Sequence, residues 1–453
     1  MPLARAKYLG IIKEAAGWGT GIALVPTTFL EFLTCNVKKT VEKIQSAANI
    51  NQRYINDIYP GSVDIAGNFD IEANPDNIGL LMYMALGVEA VQSQVLGIAA
   101  EVTEITCGAD VAGSLSGLCW LLNAPGTEYY VWYDVGGMGS VDPAIAGKTG
   151  ILVGIDQDAI ASAVATATAA AINALADFGA PAPGAAVVTV TNAANGSVDD
   201  ASDGPAPYST GWIAAWVVTT PGSGGLAYDH VFTAAPDATD LGSFVLEVGK
   251  QIRQMRYAGC RVNTMALSAA KGSILKATFG VLGKVEDDTI GAAGPTYSPR
   301  LAYVFDHGLL KIDDGIVAYV KSFDLTLDNL LNADGYMLDG SNARGSLNKQ
   351  GINLTGTMTL EYIAASYAQR TAYLDNATKW LTLIFTSTET IEAGYFYTMT
   401  VDIKYVKYIE AGDDIGGRDA IPLTIGWTAK APAAGQEFIK VTLRDALAAK
   451  WSA

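Results

Sequence analysis

Only two histidines stand in the 453 residues, His230 and His307, and each follows an aspartate, Asp229 and Asp306. An Asp–His pair can orient a general base when the carboxylate reaches the imidazole. Neighbouring residues on a strand point to opposite faces, so both pairs are poorly placed for that task. No Ser or Cys in a nucleophile-elbow setting accompanies them. They read as ordinary surface or core histidines, and no enzymatic role is expected.

Other chemistry-bearing patterns fare no better. Gly147-Lys148-Thr149 has the end of a phosphate-binding loop. That loop needs a glycine where Asp142 stands and a helix directly afterwards, whereas the following residues read as a strand. The glycines of Gly136-Gly137-Met138-Gly139 read as loop. Asp199, Asp200 and Asp203 could gather oxygens around calcium, but a solvated acidic loop is the favoured reading. Cys35, Cys107, Cys119 and Cys260 form no CxxC pair and read as buried free thiols. The run Tyr129-Tyr130-Val131-Trp132-Tyr133, with Trp212 and Trp216, is either a glycan platform or core packing, and alternation favours the core. None of these patterns calls for a metal or a cofactor.

The charge balance narrows the field further. Formal net charge is −17, which opposes tight non-specific binding of nucleic acid, since that requires Lys and Arg against phosphates. The N-terminus has no long apolar core with a cleavage site, so no signal peptide is expected. The longest uncharged run, residues 159–176, is mostly Ala and Thr and too weakly apolar to span a membrane.

The clearest organisation lies in two strand–loop–strand–helix units. In residues 316–362, Phe323, Leu325 and Leu327 alternate with Asp324, Thr326 and Asp328, and Leu354, Met358 and Leu360 alternate with Thr355, Thr357, Thr359 and Glu361. Period two buries one face and wets the other. A loop over 329–351 joins the strands, and a helix over 363–375 follows with Ile363, Tyr367 and Leu374 on one side. The N-terminal unit repeats the order. Leu33, Cys35, Val37 and Val41 alternate with polar residues, a loop over 43–61 follows, and Ile65, Phe69 and Ile71 alternate with Asp64, Asp70 and Glu72. Its helix is expected over 75–86, capped by Asn74, opened by Pro75 and ended by Gly87. The pattern reads as an internal duplication.

Between these units the texture becomes rich in Ala, Gly and Thr. Residues 97–222 read as an inserted α+β module with a helix over 157–178, so the body comprises residues 1–96 and 223–453. Further alternating strands after residue 226 complete an antiparallel, mainly β body.

Three stretches carry a family resemblance: KEAAGWGT…VPTTF near the start, Tyr257-Ala258-Gly259-Cys260-Arg261-Val262-Asn263, and Phe323-Asp324-Leu325-Thr326-Leu327 through Leu354-Thr355-Gly356-Thr357. The chain resembles phage tail tube proteins over about residues 1–90 and 225–450, and the module resembles an insertion in phage structural proteins. The resemblance implies an antiparallel β-sandwich with a flanking helix, whose strands join an oligomeric β-barrel. It implies homo-hexameric rings stacked into a tube in the virion tail, assembled in the host cytoplasm. Implied partners are further copies of the chain, tape-measure and tail-terminator or baseplate proteins, and double-stranded DNA passing without tight binding. No membrane partner is implied.

On that reading Asp64, Asp70, Glu72, Asp324, Asp328 and Glu361 face the lumen. Duplex DNA carries one charge per ~1.7 Å, and an acidic wall repels it so that it slides. The alternative is a merely solvated outer face. Head-to-tail stacking of identical rings needs protruding segments. The loops 43–61 and 329–351 are the candidates, with Lys43, Arg53, Asp334, Asp339 and Arg344 setting register. The module would project outward. The inner tube of a contractile injection machine, and a β-sandwich adhesin or glycan binder, are the other readings.

Overall fold

The computed structural model describes residues 7–452, apart from residues 16, 49–53, 96–98, 137–138, 181, 213, 223–225, 237–238, 292, 393, 413–420 and 434–435. Strands dominate and only three α-helices occur among the described residues, so the chain is mainly β; its sheets are largely antiparallel, with Thr149–Ile155 running parallel to Thr127–Val135. It divides into two compact units. One comprises residues 1–93, 229–389 and 396–453, and the other comprises residues 94–228 with 390–395.

The first unit is built on the 17-residue strand Gln254–Ala270. Its first part pairs with Phe244–Gly249 and Val285–Asp287, and its second part pairs with Lys276–Gly283 and Val320–Asp328. One strand thus carries the chain from one sheet region into the next. Around its second part runs a continuous antiparallel series: Lys38–Gln45, Ile58–Glu72, Lys276–Gly283, Gln254–Ala270, Val320–Asp328, Asn353–Glu361, Pro422–Ala429 and Tyr395–Gly412. No pairing among the described residues closes this series into a barrel within one chain.

The alternation seen in the sequence orders the two faces. Phe69, Phe279, Met265, Leu327 and Leu354 lie side by side across five strands, all buried. The helix Pro75–Leu86 packs into the same core through Ile78, Leu81, Met82, Ala85 and Leu86. Asn74 accepts from the amides of Asp76 and Asn77, Asn77 returns the bond to the Asn74 amide, and Gly87 closes the helix at φ 91°. These are the caps expected from the sequence.

Three expectations are corrected. The first strand of the N-terminal unit is broken at Asn36 into Phe32–Cys35 and Lys38–Gln45. The Asn36 side chain takes the Asn68 amide, and Gly67 adopts φ 152°, where an added Cβ would meet the Val37 backbone at 2.6 Å. The second helix is only Tyr367–Leu374. The Ser366 hydroxyl bridges the amide and carbonyl of Ile363, which holds the first residues in a turn. Ile363, Tyr367 and Leu374 are exposed, and Gln369 and Ala372 are the helix's buried residues. Cys35 is half-buried, unlike the other three thiols.

The second unit holds two four-stranded sheets. Thr149–Ile155, Thr127–Val135, Cys119–Ala124 and Ser202–Asp203 form one, and Phe178–Gly179, Val187–Asn192, Val102–Thr106 and Trp216–Thr220 form the other. Its helix is Ala161–Asn173, shorter than 157–178. Asp158, at φ 58°, is held outside it by bonds to Asp110 and Ala112. Tyr129, Val131 and Tyr133 are buried in the core of this unit, and Tyr130, from the other face of the strand, is buried with its hydroxyl donating to Asp142. Among the described residues no helix is long and apolar enough to cross a membrane.

Candidate functional site

Several residues singled out as possible catalysts or ligands make local structural contacts. The Lys148 ammonium lies 2.6 Å from Glu128, and Thr149 opens a strand. Asp203 accepts from Ser209, Thr210, Gly211 and Gly204, which ties down the loop after it. Burial alone would raise the Asp203 carboxyl, but these bonds outweigh it and hold it below the usual range. The His307 ring accepts from the Val304 amide in a short turn.

Five of the six carboxylates, Asp70, Glu72, Asp324, Asp328 and Glu361, share one face of one sheet, while Asp64 pairs with Arg344 of the 329–351 loop. Cross-strand register sets Glu72, Lys276, Ser268, Asp324 and Thr357 in a row. A second row runs Asp70, Thr278, Ala266, Thr326, Thr355 and Thr428, and a third runs Asn68, Gly280, Thr264, Asp328 and Asn353. Glu361 stands at the end of its strand on the same face, opposite Pro422. The face is therefore hydroxyl-rich, with carboxylates spaced among Thr and Ser.

The sequence reading missed the cation among these acids. Lys276 lies 2.8 Å from Asp70, which also accepts from the hydroxyls of Thr278 and Thr34. Burial would raise the Asp70 carboxyl, yet Lys276 and the two hydroxyls prevail and hold it below the ordinary range. The signal was present, since Leu275, Ala277 and Phe279 form the buried face and period two sets Lys276 on the other. Asp324 accepts from the Thr357 hydroxyl, and Asp328 from the Leu330 amide at 2.9 Å.

The two expected stacking loops differ from expectation. Lys43 and Gly61 are in strands, so the first loop shrinks to residues 46–57, its neck closed by the Ser46 amide donating to Asp57. Lys43 is exposed opposite Pro60 in a strand rather than in the loop. Arg53 lies outside the described residues. The hairpin end shows apolar side chains to solvent: Ile44, Tyr54, Ile55, Ile58 and Tyr59 are each at least half exposed.

The second loop, 329–351, is folded onto its own body. Arg344 is 2% exposed, so it is no surface contact. It donates to the carbonyls of Ala333 (2.7 Å) and Gly283 (3.0 Å) and pairs with Asp64. The Val63 amide donates to Asn342, and Tyr336 donates to the Val63 carbonyl. Leu331 and Leu347 form a small core with Leu241, Trp18 and Leu282. The loop's longest exposed stretch is 337–342, which includes Met337, Leu338 and Asp339, and Asp334 is exposed as well.

No curated protein matches the chain. The family model described as phage tail tube protein matches residues 4–429. A mainly antiparallel β chain matched over nearly its whole length belongs to that family: it is a phage tail tube protein, a structural component of the virion tail.

Proposed function

We propose that this subunit forms the wall of a DNA conduit, with the Thr- and carboxylate-bearing face turned to the bore. The observation that carries the reading is the convergence of Asp70, Glu72, Asp324 and Asp328 on one sheet face, although the two pairs lie some 250 residues apart in sequence. Hydroxyls and carboxylates offer phosphates no strong cationic grip, and the cation in their midst, Lys276, is matched to Asp70. Copies arranged in hexameric rings would continue the sheet across their edges, which removes unpaired strand edges such as Lys38–Gln45.

Rings stack head to tail through the ends that stand clear of the body. These are the apolar hairpin end with Ile44, Tyr54, Ile55, Ile58 and Tyr59, and the 337–339 tip. Apolar surface on a protruding hairpin gains by burial against another copy, at ~25 cal/mol per Å². The α+β unit is carried on the outside of the tube, while tape-measure and terminator or baseplate proteins meet its ends. An electron-microscopy map of assembled tubes tests the reading. Asp324, Thr326 and Asp328 are expected to line the bore, and their placement on the outer surface would end it.

A further inference from the structure

His230 belongs to a buried cluster that the tube-wall reading does not use. It stands on the strand Tyr228–Ala234 with no exposed surface. Its Nδ1 is 2.6 Å from Glu89 Oε1, and its Nε2 is 3.2 Å from Asp445 Oδ1 and 3.0 Å from the Leu447 carbonyl. Both carboxylates are buried as well, at 6% and 2% exposure. A neutral imidazole has one N–H to give, whereas two anionic oxygens and a carbonyl face its two nitrogens. The arrangement is satisfied only by the imidazolium.

The same two carboxylates hold the segment that follows Asp445. Glu89 accepts from the Ser452 amide at 2.7 Å. Asp445 accepts from the Trp451 indole at 3.0 Å and from the Leu447 amide at 2.7 Å. The Lys13 ammonium donates to the Ser452 carbonyl, and Gln92 donates to Ala448. Trp451 lies edge-on to the His230 ring and covers Gly79 of the helix Pro75–Leu86, where a Cβ would come within 2.3 Å of the indole.

We propose that residues 446–452 are a strap latched by the His230 imidazolium, and that loss of the ring proton releases the strap from the helix face around Gly79. Deprotonation leaves one of two buried carboxylates facing a lone pair, and a buried unpaired charge is costly. The strap is the one part of this cluster that can leave, because Glu89 and His230 are fixed in paired strands.

The pH window follows from the groups in contact. Burial alone would lower the imidazolium pKa, but the bonds to Asp445 and Glu89 outweigh it and push it up to about 9. His230 therefore stabilises the latched state fully below its unfolded value of ~6.5, and that contribution is lost as pH rises through about 9. Burial would raise Glu89, but His230 and Ser452 hold it low, so its contribution is lost only as pH falls into the acid range. Charged and titratable groups from the neighbouring elements also face the cluster. Arg444 is paired with Asp229 at 2.7 and 2.8 Å, Lys13 is bonded to the Ser452 carbonyl, and burial pushes the Tyr83, Tyr303 and Tyr397 hydroxyls up.

Lys450 is an exposed trypsin site within the strap, so cleavage there reports release. The full chain is digested briefly at pH 7.5 and 9.5, the rates are normalised to a short peptide substrate, and loss of the segment that begins at Trp451 is read by intact mass. The expected result is a rise of about tenfold or more at the higher pH, since occupancy of the open state follows the lost proton. In His230→Gln the site should be cut fast at both values. An equal normalised rate at the two pH values in the unmodified chain overturns the proposal, and that measurement needs no variant to fold. Slow cleavage at pH 7.5 in a folded His230→Gln protein overturns it as well.

Discussion

Arg344 reaches back from the long 329–351 loop to the carboxylate of Asp64, and the two are bound in one ion pair although 280 residues separate them. Its guanidinium also satisfies two backbone carbonyls, at Ala333 and Gly283. A residue that reads as a surface contact thus fastens the loop to the strand Ile58–Glu72, and Asp64 is drawn under that loop at one end of the polar face.

Replacing Arg344 by Ala should be costly. Two carbonyls lose their donor in a buried place, at about 1–3 kcal/mol each. Asp64→Asn should cost about 1 kcal/mol or less, because the carboxylate is partly exposed and solvent screens the pair. Urea unfolding midpoints of the two variants check the order, and equal losses would show that the ion pair, rather than the carbonyl bonds, holds the loop.

The loop tip should be separable from the fold. Met337, Leu338 and Asp339 are exposed, whereas Arg344 and Leu347 are buried. Removing all of 334–349 would strip the small core, so the cleaner change is Met337, Leu338 and Asp339 to Ser, Gly and Ser. Melting temperature should stay within about 2 °C, as for most surface changes. Negative-stain microscopy should then show rings or short stacks in place of long tubes. Full-length tubes would remove the tip from the stacking contact.

Asp324→Lys together with Asp328→Lys tests the repulsive wall. Asp324 anchors the Thr357 hydroxyl, so a loss of about 1 kcal/mol is expected. Tubes from this variant should retain duplex DNA at low salt and release it as salt rises, while unmodified tubes should retain none. Retention is read by cosedimentation with labelled duplex. Identical behaviour of both tubes argues that this face is not the one DNA meets.

Gly356→Ala should damage the sheet itself. An added Cβ would fall 2.4 Å from Trp427 and 2.2 Å from the Asp324 carbonyl, both of which are fixed. Overpacking of this kind costs about 1–3 kcal/mol. Thermal unfolding should register it as a clear drop in melting temperature, with loss of the Phe323–Trp427 stack in near-ultraviolet circular dichroism.

The sequence alone determined the local grammar. Alternation set Phe323, Leu325 and Leu327 inward and Asp324 and Asp328 outward, because a strand has a period of two and one face had to be buried. Asn74, Pro75 and Gly87 bounded the first helix, because caps are local bonds among near neighbours. Only the tertiary structure decided which strand lies beside which. That placed Lys276 against Asp70, buried Arg344 under its own loop, exposed Ile363 and Leu374, and enclosed His230 between Glu89 and Asp445. Each of those outcomes rests on contacts between segments distant in the chain, and a side chain's charge and exposure are fixed by whichever neighbours the register brings to it.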